Sequence, residues 1–174
     1  MGLWRRWFGR EDRVSAYAPL YAAIVAAARD PRWYRAGGVA DTLDGRFDMV
    51  SGVLALVLIR LEAAGDDGRE PAARVTELFV DDMDGQLRQQ GIGDIVVGKH
   101  VGRMMAALGG RIAAYRDGLA PGGDLAGALD RNVHRGPGAT DAARETLEGG
   151  VRALGGQIMA TPLDVLLAGR WPTA

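Results

Sequence analysis

Apolar residues recur every three or four positions through most of the chain, and no run alternates with the period of two that a strand requires. The first such stripe is Tyr17, Leu20, Tyr21, Ile24, Val25 and Ala28, with Pro19 in the first turn and Pro31 ending the helix at about Asp30. A second helix, from Thr42 or Asp44 to about Ala64, carries Phe47, Val50, Leu54, Val57, Leu58 and Leu61 on one face. Met49, Val53, Leu56 and Ile59 make its other sides apolar too, which predicts a buried central helix. Gly65-Asp66-Asp67-Gly68 reads as a turn, and Pro71 as the first turn of a third helix running to about Gln90. After Gly91-Ile92-Gly93, Asp94 caps a fourth, to about Asp117, with Val97, Val101, Met104, Leu108, Ile112 and Tyr115 on its apolar face. Weaker patterns follow. Asp124 starts a helix to about His134, Gly136-Pro137-Gly138 breaks it, and Thr140 or Asp141 starts another carrying Leu147, Val151, Leu154 and Ile158. Pro162 opens a last turn or two with Val165, Leu166 and Leu167. The pattern predicts an all-α single domain of about six or seven helices packed around the buried helix at 42–64.

Two places depart from simple amphipathicity. On the third helix Val75, Leu78, Phe79, Met83 and Leu87 share one face and Glu77, Asp81, Asp84 and Arg88 the opposite one. Asp82 falls on the apolar side, and a carboxylate there requires a basic or donor partner. Arg111, at the border of the fourth helix's apolar face, is the first candidate for a buried pair with Asp82, and His100 the second. The fourth helix also carries a stripe of small residues, Gly98, Gly102, Ala106, Gly109 and Ala113. Glycine costs a helix about 1 kcal/mol relative to alanine, so the stripe predicts close approach by another helix or a bound chain.

Composition narrows the class. The chain has 174 residues, 48% of them apolar, which is enough for one domain with a sizeable core. A formal charge of −1 offers no global field for nucleic acid. With no cysteine, disulfides, thiolate metal sites and a cysteine nucleophile are excluded. The longest nearly apolar run, Met49 to Ile59, is too short to cross a bilayer, and no apolar stretch of a secretory signal follows the first arginines; these point to a cytoplasmic protein. Residues 1–14 form a separate tail ahead of a domain at 15–174. In the tail Trp4, Trp7 and Phe8 alternate with Arg5, Arg6 and Arg10, as expected either of a peripheral contact with a membrane or of aromatics folding back on the domain. Trp33 and Tyr34, in the connection before Gly37-Gly38, either plug a core edge or line a binding surface.

Catalytic patterns are thin. Asp81, Asp82 and Asp84 are spaced DDMD, not the DDxxD of magnesium-dependent prenyl-diphosphate enzymes, and no second acidic helix completes such a site. An EF-hand loop does not follow. His100 and His134 belong to no HExxH or ExxH pattern. Ser15 and Ser51 are the only serines, and neither is placed for a Ser-His-Asp site. The Gly-rich pieces follow no strand, so phosphate-loop readings fail their context. The residues themselves give little support to catalysis, a cofactor or a metal, and describe an interaction protein and no more.

The run Leu78-Phe79-Val80-Asp81-Asp82-Met83-Asp84, then Leu87-Arg88, Gly91-Ile92-Gly93-Asp94 and Val97-Gly98-Lys99, resembles the ubiquinol–cytochrome c chaperone family. Leu20-Tyr21, Trp33-Tyr34, Asp41-Thr42 and Gly45-Arg46-Phe47-Asp48 look like earlier blocks of the same family. The resemblance runs over roughly residues 15–135, and the last forty match loosely. It implies an all-α, non-catalytic chaperone that binds newly made cytochrome b and assists assembly of the cytochrome bc1 complex. The mitochondrial members work with a small partner subunit near the ribosome; this chain looks like the compact bacterial form. A groove floored by glycine suits a helical client. The partner surface is therefore expected at Trp33, Tyr34, Gly98, Gly102 and Arg103, with Asp81, Asp84, Arg88 and Lys99 on its polar rim. Two other readings stay open: a helical binder of lipid or quinone, and a structural subunit of a membrane-associated assembly.

Overall fold

The structure is a computed structural model that describes residues 16–89, 94–135 and 138–171, and for residues 87 and 94–101 the backbone only. Five long helices carry the fold: α1 (Ala18–Ala28), α3 (Leu43–Ala63), α4 (Asp66–Gln89), α5 (Asp94–Leu119) and α7 (Asp141–Ala160). Three five-residue helices connect them or close the chain: α2 (Pro31–Arg35), α6 (Leu125–Leu129) and α8 (Leu163–Leu167). A π-helical turn, Asp130–His134, continues α6. The described residues form an all-α single domain, as the apolar pattern predicts.

The sequence sets the helix starts through small polar caps. The Thr42 hydroxyl accepts from the Gly45 amide, the Asp124 carboxylate from Gly127 and the Thr140 hydroxyl from Ala143. Each satisfies one of the amides that a first turn leaves unpaired. Between Thr42 and Asp44, the cap of α3 is Thr42. The Asp94 cap lies outside the described side chains.

Helix α3 is the buried centre. Residues 48–57 are buried without a break, and the helix packs against α1, α4, α5 and α7. An all-round apolar helix can reach this state only when neighbours cover every side. Phe47 of α3 meets Phe79 of α4 with ring centroids 5.9 Å apart, a favourable tilted pair.

Two boundaries differ from the sequence reading. Helix α4 starts at Asp66, so 66–68 are helical and Pro71 sits inside the helix. The turn is confined to Ala64 and Gly65, the latter with φ +64. Gly68 allows this early start: a Cβ there would lie 1.8 Å from the Leu61 carbonyl oxygen. Pro71 has no amide to give the Asp67 carbonyl, a loss tolerable one turn from the helix start. The second difference is α2, an extra turn where the sequence suggested a plain connection. Asp30 caps it, accepting from the Arg32 amide at 2.9 Å, and Pro31 is preorganised as its first residue.

Candidate functional site

A cluster of buried polar side chains joins three elements. Arg111 of α5 is 2% exposed and Asp48 of α3 is 1% exposed. The Arg111 guanidinium donates to the Asp48 carboxylate, to the Ser51 hydroxyl and, at 2.9 Å, to the Asn132 carbonyl of the π turn. Its cation also lies 5.5 Å from the Phe47 ring centre. Arg135, half-exposed and in the left-handed conformation (φ 51), reaches back to the same Asp48 oxygen at 2.5 Å. Burial raises the Asp48 pKa, and the Arg111 and Arg135 guanidiniums pull against that rise. Tyr115, buried one turn along α5, has its phenol pushed up to about 12, chiefly by burial.

This corrects the expected pair of Asp82 with Arg111. Arg111 points to α3 and the π turn, whereas the Asp82 face of α4 is covered by α1. There the Tyr21 hydroxyl donates to Asp82 at 2.7 Å and the Gln86 amide donates at 3.1 Å. Asp82 is half-buried, so two neutral donors and partial solvation suffice. Burial, then the bond to Asp82, raises the Tyr21 phenol. Asp48 was the partner that sequence reasoning missed. Its signal was a lone acid inside the all-apolar helix, within the block Gly45-Arg46-Phe47-Asp48.

The π turn holds a second polar tie. The ring nitrogens of His134 lie 2.9 Å from an Asp130 oxygen and 2.9 Å from the Gly37 carbonyl oxygen. Arg144 of α7 donates to the same Asp130 oxygen at 2.9 Å. The His134 hydrogen bond, ahead of Arg144, lowers the Asp130 carboxyl's pKa. These contacts fix the connection after α2 to the π turn and to α7. They are structural; nothing among them is aimed at an open site.

The expected partner surface divides. Trp33 does not belong to it, because its side chain is 1% exposed. Its indole donates to the Ala27 carbonyl at 2.8 Å, and its ring lies over Gly150 of α7, where a Cβ would come within 2.5 Å. An amphipathic ring with its polar edge satisfied internally is a core plug. Tyr34 is half-buried, its hydroxyl donating to the Ala28 carbonyl at 3.0 Å. Asp81 and Arg103 are exposed, and Arg88 pairs with Asp84 one turn away at 2.7 Å. Gly102, Ala106, Gly109 and Ala113 are exposed as well, and a Cβ at Gly102 or Gly109 would meet nothing within 4 Å. Among the described residues, then, no helix lies on this part of the stripe. The side chains of Gly98, Lys99 and His100 lie outside the described residues.

A cleft of about 540 Å³ opens between α3 and α4. Leu58, Ala72 and Val80 form its apolar lining, with Ala73 and Thr76, and Glu77 and Asp81 stand at its polar side. The enclosed gap beside Trp33 and Tyr115 amounts to only about 10 Å³, too small to admit a quinone or lipid chain. Among the described residues, no three of His, Asp and Glu are grouped to hold a metal ion, and no helix is long and apolar enough to cross a membrane.

Residues 35–174 match the profile of the family described as ubiquinol-cytochrome C chaperone. The chain belongs to this family. The match takes in the last forty residues, whose resemblance to the family is loose, and begins after the blocks at Leu20-Tyr21 and Trp33-Tyr34. The crystal structure of the Cbp3 homolog from Brucella abortus is similar throughout, with 30% identity and a TM-score of 0.78 over 94% of this chain and 92% of that one. None of the curated protein sequences matches. Membership in a chaperone family agrees with a site made of surface and cleft, and the polar ties described above hold helices together.

Proposed function

We propose that this chain is a non-catalytic assembly chaperone that binds newly made cytochrome b and assists formation of the cytochrome bc1 complex. The observation that carries the reading is the agreement of family profile and whole-chain structural similarity to the Cbp3 homolog from Brucella abortus. The open cleft and the uncovered small-residue stripe support it, because a chaperone needs surface left free by its own fold. The proposed client surface comprises Asp81, Asp84, Arg88 and Lys99 with Gly98, Gly102 and Arg103, and Tyr34 is assigned to the same role. The chain acts at the cytoplasmic face of the inner membrane, where residues 1–14 make a peripheral contact through Trp4, Trp7 and Phe8, and the domain at 15–174 holds the client.

Deletion of the gene in its own organism tests this. Isolated membranes should lose the haem b absorbance and bc1 activity, and the wild-type gene should restore both. An unchanged complex would reduce the family relationship to a shared fold for this chain.

A further inference from the structure

The α3–α4 cleft has a chemistry that selects what could lie in it. Its lining is apolar at Leu58, Ala72 and Val80, and of the two acids at its edge Glu77 is balanced by Arg74 while Asp81 leaves a negative charge there. The charge extends along the helix. Residues 66–84 of α4 contain Asp66, Asp67, Glu70, Glu77, Asp81, Asp82 and Asp84 against Arg69 and Arg74, although the whole chain carries only −1. Most of these acids have a partner inside the domain: Asp66 pairs with Arg69, Glu77 with Arg74, Asp84 with Arg88, and Asp82 accepts from Tyr21. Asp81 is exposed at the cleft and has no ion pair among the described residues.

A complementary occupant has an apolar face for the lining and a cation beside it for Asp81. Membrane proteins concentrate that combination at one place. Where a transmembrane helix ends on the cytoplasmic side, its apolar residues are followed within a few positions by the Lys and Arg that set its orientation. We infer that the α3–α4 cleft binds such a junction of the client, with the apolar helix end against Leu58, Ala72 and Val80 and the first basic residue of the loop against Asp81. This rests on the chaperone reading and adds to it which kind of client segment is held and where.

The test uses the full-length protein and labelled peptides covering each cytoplasmic helix end of cytochrome b from the same organism, in mild detergent. Each peptide is paired with a copy whose Lys and Arg are replaced by Gln. Fluorescence anisotropy should show saturable binding of at least one native peptide, weakened at least tenfold by the Gln replacement and by raised salt. Asp81→Lys should weaken it by a similar factor, and Ala73→Trp, which fills the cleft from an exposed position, should abolish it. Both variants should keep the wild-type melting temperature, so that a folding defect is not mistaken for lost binding. Equal binding of native and Gln peptides, or binding that survives both variants, would overturn the assignment. So would a self-associated protein that Ala73→Trp makes monomeric, since a second copy would then fill the cleft. Returning the variants to the deletion strain separates the two levels of argument. Full rescue by both variants leaves the chaperone role standing and removes the cleft from it, whereas a deletion with no bc1 defect removes the role itself.

Discussion

At the scale of single residues, the strongest constraint is the charge buried with Arg111. Asp48, Ser51 and the Asn132 carbonyl surround its guanidinium at 2% exposure. Removing one member of a buried pair leaves the other uncompensated, which costs about 3–5 kcal/mol. Asp48→Ala should therefore lower stability by that amount in urea unfolding. The double variant Asp48→Leu with Arg111→Met should recover much of it, because an apolar replacement leaves no stranded charge. A double variant as unstable as the sum of its parts would show that the cluster is not a coupled unit. Asp130 gives a pH signature. Its pKa is lowered by His134 and Arg144, so it contributes stability above the ordinary carboxylate range and loses it as pH falls through the folded value. Asp130→Asn should flatten the decline of melting temperature below about pH 4, by a small amount, since the pair is partly solvated. An unchanged acid limb would contradict that. The need of Asp82 for a donor was legible in the sequence, because helical phase tells which side of a helix a residue occupies. Its partner was not legible, because phase does not say which neighbour covers that side: α1 does, and supplies Tyr21.

At the scale of elements, the long helices were readable because apolar spacing, caps and prolines agree on them. The exceptions have local causes. The start of α4 moved five residues because Gly68 lets the chain turn against the Leu61 carbonyl, a packing fact that no propensity records. The π turn at Asp130–His134 has no sequence period of its own; it exists because it delivers the Asn132 carbonyl to Arg111 and His134 to Gly37. Helix α5 tests stability against function. Its glycines are expected to admit a neighbour, and among the described residues nothing lies over Gly102 or Gly109. Gly102→Ala should then stabilise the domain by up to about 1 kcal/mol, since the added methyl meets only solvent and the helix loses a flexible residue. If the stripe seats a client helix, Gly102→Leu should keep a melting temperature at or above wild type and yet fail to restore bc1 activity in the deletion strain. Full restoration would mean that the open glycines serve neither packing nor the client.

At the scale of the whole molecule, the core and the proposed client surface occupy separate material. The core runs from Leu20 to Trp171, and each of its large buried side chains is covered by another part of the same domain. Surface features were the least legible part of the site. A sequence marks Trp33 and Tyr34 as large and aromatic, but only packing tells that one is a core plug and the other a half-buried ring whose hydroxyl donates to the Ala28 carbonyl. The same separation governs the tail. The domain reading places the folding information in 15–174, and membrane contact in Trp4, Trp7 and Phe8 with Arg5, Arg6 and Arg10. Removing residues 1–14 should therefore leave the thermal melt and urea midpoint at wild-type values. It should also lower cosedimentation with vesicles containing anionic lipid, where each basic residue near the surface contributes about 1 kcal/mol at moderate ionic strength. Neutral vesicles should recover little of either protein. A truncated chain that melts lower would place the tail's aromatics on the domain, as an extension of its core. A truncated chain that binds vesicles as well as the full one would move the membrane contact to the folded surface, and the acidic face of α4 could not then be the side that approaches anionic lipid.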